Sequence, residues 1–116
     1  MNTDDYKQLL KSKEVLDYGT LKVTIEELER LDDKRLIKEI QRILSDNKIH
    51  KPELHNSADD KTTDHYRIDL DTNDIVTIVS MFGDREVGSL GHDYETTRAA
   101  SFYATMLDNW NRIILD

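Results

Sequence analysis

Ile75-Val76-Thr77-Ile78-Val79-Ser80-Met81-Phe82 is the densest run of β-branched and bulky apolar residues in the chain. On a strand, alternate side chains face opposite sides, which sets Ile75, Val79 and Met81 against Val76, Ile78 and Phe82. Both faces are apolar, and a strand covered on both sides reads as a continuous apolar run of this length. The expectation is a central strand ending at Gly83.

The neighbours of this run extend the reading into a sheet. Upstream, Tyr66, Ile68 and Leu70 alternate with Arg67 and Asp69, the pattern of a strand with one buried face, and Asp71-Thr72-Asn73-Asp74 has the composition of a turn. Downstream, Gly83-Asp84 suits a two-residue hairpin loop in which glycine takes positive φ, and Arg85 to Leu90 forms a third strand with Val87 inward and Glu86 outward. These segments give a three-stranded antiparallel meander over about residues 65–90.

Helices flank the meander on both sides. Gly91-His92-Asp93 ends the sheet, and Asp93 caps a helix over about residues 94–115 whose stripe is Ala99, Phe102, Tyr103, Met106, Leu107, Trp110, Ile113 and Ile114. Toward the N-terminus, Tyr6, Leu9 and Leu10 mark a short helix over about residues 4–16, capped by Thr3 or Asp4 and stopped by Asp17-Tyr18-Gly19. Leu21-Lys22-Val23 is a short extended piece. Thr24 and Glu27 stand at capping-box spacing ahead of a helical region over about residues 25–46, with Ile25, Leu28, Leu36, Ile40, Ile43 and Leu44 on one side. Leu31 falls off that side beside Asp32-Asp33, so the region kinks or divides into two helices with Asp32 capping the second. Residues 48–63, with Pro52, His50 and His55, lack periodicity and read as a polar loop. The fold class is α+β, in a single domain over residues 1–116.

Composition narrows the functional classes. The chain has 116 residues, 34% charged and 37% hydrophobic, which suits one modest core and excludes global disorder. No run approaches the roughly 20 apolar residues that cross a bilayer, and no secretory signal pattern opens the chain, so a cytoplasmic protein is expected. The absence of cysteine removes disulfides, thiolate nucleophiles and Cys-ligated zinc. With 16 basic and 24 acidic side chains the net charge is −8, which argues against nucleic acid and for a basic protein as partner. Residues 1–45 carry 10 acidic and 9 basic side chains and residues 46–116 carry 14 and 7, so the second part holds nearly all the imbalance.

No catalytic or metal motif emerges from the remaining residues. Asp69-x-Asp71-x-Asn73 matches the first ligand positions of a calcium-binding EF-hand loop, but Asp74 stands where glycine is needed and Ser80 where the closing glutamate is needed. His50, His55, His65 and His92 lie near Asp59, Asp60, Asp64 and Asp93 without a ligand spacing, and His65 and His92 are the pair that the ends of the sheet would bring together. Ser80 and Ser89 lack a nucleophile elbow, and Gly83, Gly88 and Gly91 lack the lysine and helix start of a phosphate loop. No cofactor or metal is therefore expected.

Two functional readings follow. In the first, the chain is a small interaction protein, concretely an inhibitor or immunity-type protein. Asp59, Asp60, Asp64, Asp69, Asp71, Asp74 and Asp84 would form the acidic surface that covers a basic groove. In the second it is an enzyme or ligand-binding domain with a pocket between sheet and C-terminal helix, lined by Tyr66, Tyr94, Tyr103 and Trp110 with His65, His92 and Arg98 as polar groups. A homodimer is the alternative cover for the second face of the sheet.

Overall fold

The computed structural model describes residues 14–49, 64–91 and 97–114. Those residues form four helices and two short strands: β1 (Val15–Asp17), α1 (Tyr18–Arg30), α2 (Lys34–Asp46), β2 (His65–Arg67), α3 (Thr72–Gly88) and α4 (Arg98–Ile114). The α+β class holds, and the three-stranded meander does not. The chain divides into two compact units, residues 1–69 and residues 70–116.

In the first unit β1 pairs antiparallel with β2, with Val15 opposite Arg67, Leu16 opposite Tyr66 and Asp17 opposite His65. Backbone bonds continue the ladder at both ends, from Tyr18 N to Asp64 O at 3.0 Å and from Ile68 N to Glu14 O at 2.7 Å. The other edge of β2 takes the segment after α2, where Ile49 N donates to His65 O and Arg67 N donates to Asn47 O. Tyr66 is thus buried between two neighbouring segments, while Arg67 is exposed. The expected alternation of this strand is right, and its partner is the N-terminal segment rather than residues 75–82. Val15 and Leu16, read as the end of a first helix, are strand residues. The rest of that expected helix lies outside the described residues.

Asp17 explains the difference. Its backbone is extended and its carboxylate accepts from Thr20 N at 3.3 Å and Thr20 Oγ1 at 2.5 Å, so it caps α1 instead of stopping an earlier helix. Leu21-Lys22-Val23 consequently lies inside α1. Thr24, expected as the cap, is mid-helix and buried, with its hydroxyl turned back to Thr20 O at 2.7 Å.

The break after Leu31 is real and has a defined geometry. Asp32 takes φ 56°, a left-handed conformation that aspartate tolerates better than most residues. Asp32 N then donates to Glu29 O and Asp33 N to Leu28 O, the paired bonds of a Schellman ending. Asp33, one residue beyond the expected position, caps α2 by accepting from Leu36 N at 3.2 Å. Leu36, Ile40 and Ile43 bury the inner face of α2, and Leu21 and Leu28 bury that of α1. The two helices pack on each other, and α2 also contacts β2.

In the second unit, residues 72–88 are one continuous helix. The expected turn at 71–74 is its start: Asp71 accepts from Asp74 N at 2.9 Å, and Asp74 lies in the first turn, where the exposed amides favour a carboxylate. The buried residues are Ile75, Ile78, Met81 and Phe82, which share a helical stripe, whereas Val76 is exposed. Gly83 is helical and without positive φ, so neither the second hairpin nor a strand at 85–90 exists. The β-branched residues gave a preference that packing overrides, since β-propensity depends on what a side chain is buried against.

Helix α4 packs on α3. Thr97 Oγ1 accepts from Ala100 N at 3.0 Å and donates to Ser89 O at 2.5 Å, so one hydroxyl caps α4 and ties it to the end of α3. Further along, Arg85 meets Tyr103 and Gly83 approaches Leu107, so the two helices run antiparallel. Trp110, Met106 and Ala100 are the buried residues of α4. The expected Asp93 cap lies outside the described residues.

Candidate functional site

The seven carboxylates expected to form one acidic surface fall into different settings. Asp59 and Asp60 lie outside the described residues. Asp64 is buried, with only 4% of its side chain exposed, and its Oδ2 sits 3.4 Å from Lys48 Nζ. Its position follows from the sheet, because Asp64 directly precedes β2 and Lys48 bridges to Tyr66 across the other edge. Burial, followed by the neighbouring Asp64 and Tyr18, raises the pKa of the Tyr66 phenol. Asp64 therefore serves the interior of the first unit.

Asp69 is exposed and engaged. Arg42 donates to it through Nη1 at 3.0 Å and Nη2 at 2.8 Å, a two-pronged guanidinium contact, and also reaches Glu39 through Nε at 3.2 Å and Nη2 at 2.9 Å. The guanidinium holds the Asp69 carboxyl below the usual carboxylate range against partial desolvation. Asp69 and then Glu39 in turn raise the pKa of Arg42. This cluster ties α2 to the chain beyond β2, and Arg42 offsets one of its two carboxylate charges.

Asp71, Asp74 and Asp84 belong to the second unit. Asp71 and Asp74 form the start of α3, and Asp84 is exposed near the other end of that helix. The only basic residue of α3, Arg85, is turned toward α4. Its Nη2 donates to Tyr103 Oη at 3.1 Å and its guanidinium lies 5.1 Å from the centre of the Tyr103 ring. Phe82 packs at 6.4 Å between ring centres and Phe102 meets Tyr103 edge-on at 5.5 Å. The outward side of α3 consequently shows Val76, Thr77, Ser80, Asp84 and Val87, with no cation among them.

The residues of the expected pocket are also dispersed. His65 is a partly buried member of β2 in the first unit. Arg98 is exposed at the start of α4, Tyr103 is half-buried in the aromatic cluster, and Trp110 is fully buried in the helix pair. His92 and Tyr94 lie outside the described residues. Among the described residues no three His, Asp or Glu side chains converge so that they could hold a metal ion. Asp69, Asp71 and Asn73, which share the spacing of a calcium loop, are separately engaged. Asp69 binds Arg42, Asp71 caps α3, and the Asn73 carbonyl accepts from Thr77 Oγ1 at 3.0 Å.

Sequence reasoning missed Arg42, Lys48 and Arg85 as partners of the singled-out residues. Arg42 and Asp69 are far apart in the chain, and no local pattern announces their meeting. Arg85 was legible in principle, because an Asp71 cap followed by Ile75, Ile78 and Phe82 is a helix pattern that places Arg85 on the inner flank.

No helix among the described residues is long and apolar enough to cross a membrane. Comparison with protein-family models, curated proteins and solved structures finds no match to this chain.

Proposed function

We propose that this chain is a small acidic interaction protein that covers a basic surface of a protein partner, with an inhibitor or immunity-type protein as its concrete form. The observation that carries this reading is the charge of the second unit. Residues 70–116 hold eight acidic and three basic side chains, a formal charge of −5. The first unit sets its exposed Asp69 against Arg42, whereas Asp71, which caps α3, and Asp84 are exposed on the second unit. An acidic surface of this kind attracts a basic protein and accelerates the encounter, with a strong dependence on ionic strength.

The test is affinity capture from host extract followed by kinetics on whichever protein is retained. The expected partner is basic, and its association rate falls steeply as salt rises past the range where charges are screened, about 0.1 to 0.5 M. Retention of an acidic or neutral partner, or an association rate indifferent to salt, overturns the reading.

A further inference from the structure

Val76 and Val87 are 45% and 65% exposed on the same helix, large values for aliphatic residues in an ordered element. Eleven residues separate them, which is about three helical turns, so they lie within about 20° of each other and about 16 Å apart along the axis. Between them Ser80 is exposed and Gly83 lies beside Leu107 of α4, while Asp84 and Thr77, about 80° and 100° around the helix from Val76, are exposed on the flank. The face therefore has an apolar contact near each end and a carboxylate on the flank before the second, and the one cation of α3, Arg85, is turned toward Tyr103 of α4.

We infer that this outward face of α3 is a docking surface for a cationic amphipathic helix of a partner protein, its apolar residues seated on Val76 and Val87 and its lysines or arginines on Asp84. The inference rests on the acidic-interaction reading and gives that reading a location. Charge selects the occupant. A second copy would set the exposed carboxylates Asp71 and Asp84 of one α3 face against those of another, and like charges across an interface are repulsive. Anionic lipid headgroups and nucleic-acid phosphates are repelled for the same reason. A helix with apolar residues recurring over three turns matches the spacing of the valines, because both partners then share one axial rise.

The experiment uses the full chain and three labelled peptides of about 18 residues, long enough for partial helicity. The first carries leucines at i, i+4, i+7 and i+11 with lysines on the flanks. The second has the same composition with the leucines scattered around the helix, and the third replaces lysine by glutamate. The ordered lysine peptide is expected to bind, the scattered one about tenfold more weakly, and the glutamate one not at all. Replacing both valines (Val76→Ser with Val87→Ser) weakens the ordered peptide about tenfold, and Asp84→Asn weakens it a few-fold at low salt only. Circular dichroism checks that these exposed changes leave the helices intact.

Equal binding of the ordered and scattered peptides, or indifference to the valine changes, overturns the docking face while salt-dependent capture of a basic partner leaves the broader reading standing. Failure of both cationic peptides together with salt-independent capture overturns both.

Discussion

The two units handle charge in opposite ways. In residues 1–69 the acidic side chains that matter are engaged locally: Asp17 and Asp33 cap helices, Asp64 faces Lys48, and Asp69 is clasped by Arg42. In residues 70–116 cohesion comes from apolar and aromatic contact, with Trp110, Phe82, Ile78 and Met106 inside and Arg85 laid against Tyr103. The difference teaches that an acidic sequence does not imply a uniformly acidic surface. In the first unit Asp64 and Asp69 meet the cations Lys48 and Arg42, whereas in the second Asp71 caps a helix through a backbone amide and Asp84 is exposed.

The largest effect expected from this contrast is at Trp110. The side chain is fully buried and is the largest in the interior of the second unit. Trp110→Ala removes the contacts of a fully buried side chain and leaves a large cavity, at a cost of about 3–5 kcal/mol. Urea unfolding followed by circular dichroism should show the transition shifted to much lower denaturant. A loss under about 1 kcal/mol would mean that apolar packing does not hold this unit together, and the contrast would fail.

A smaller effect is expected in the first unit at Asp69. The carboxylate and its Arg42 partner are 49% and 36% exposed, so solvent screens the pair, and Asp69→Asn is expected to lower stability by only about 0.5 kcal/mol at neutral pH. The folded pKa of Asp69 is depressed, so its contribution is present above the ordinary carboxylate value of 3.8 and is lost as pH falls through the lower folded value. Parent and variant should therefore converge in acid, and also at high salt. A gap that persists in both conditions would show that Asn fails for a reason other than the lost ion pair.

How far the sequence discloses this arrangement depends on the length and purity of each pattern. Leu36, Ile40 and Ile43 repeat at helical spacing in a segment otherwise polar, and α2 is legible to within a residue or two. The break at Asp32-Asp33 is legible for the same reason, since Leu31 leaves the stripe. Strand β1 is not, because Val15-Leu16-Asp17 is three residues long and follows a helical pattern without a visible stop. The carboxylate partners escape for another reason: Arg42 and Asp69 are joined only after β2 has paired, so their contact is a product of the fold. The acid excess of the second half was visible from counting alone, and its placement on α3 was not.

The stretch from Ile75 to Phe82 is the instructive failure, and Gly83 offers the sharpest test of it at the lowest energetic stake. Five of its eight residues are β-branched and a sixth, Phe82, shares a strand's preferences, and the following glycine looks like a hairpin turn. In a hairpin, Gly83 would take positive φ, and alanine there would be strained and destabilising. In the helix Gly83 has no positive φ, and a Cβ added to it would meet Leu107 Cδ1 at 3.4 Å, an ordinary van der Waals contact with the end of a flexible side chain. Alanine also loses less backbone freedom on folding than glycine does. Gly83→Ala is therefore expected to stabilise the protein by about 0.5–1 kcal/mol, read as a higher urea midpoint with an unchanged slope. A lower midpoint would restore the strand reading of residues 75–82 and remove the outward helical face on which Val76 and Val87 are aligned.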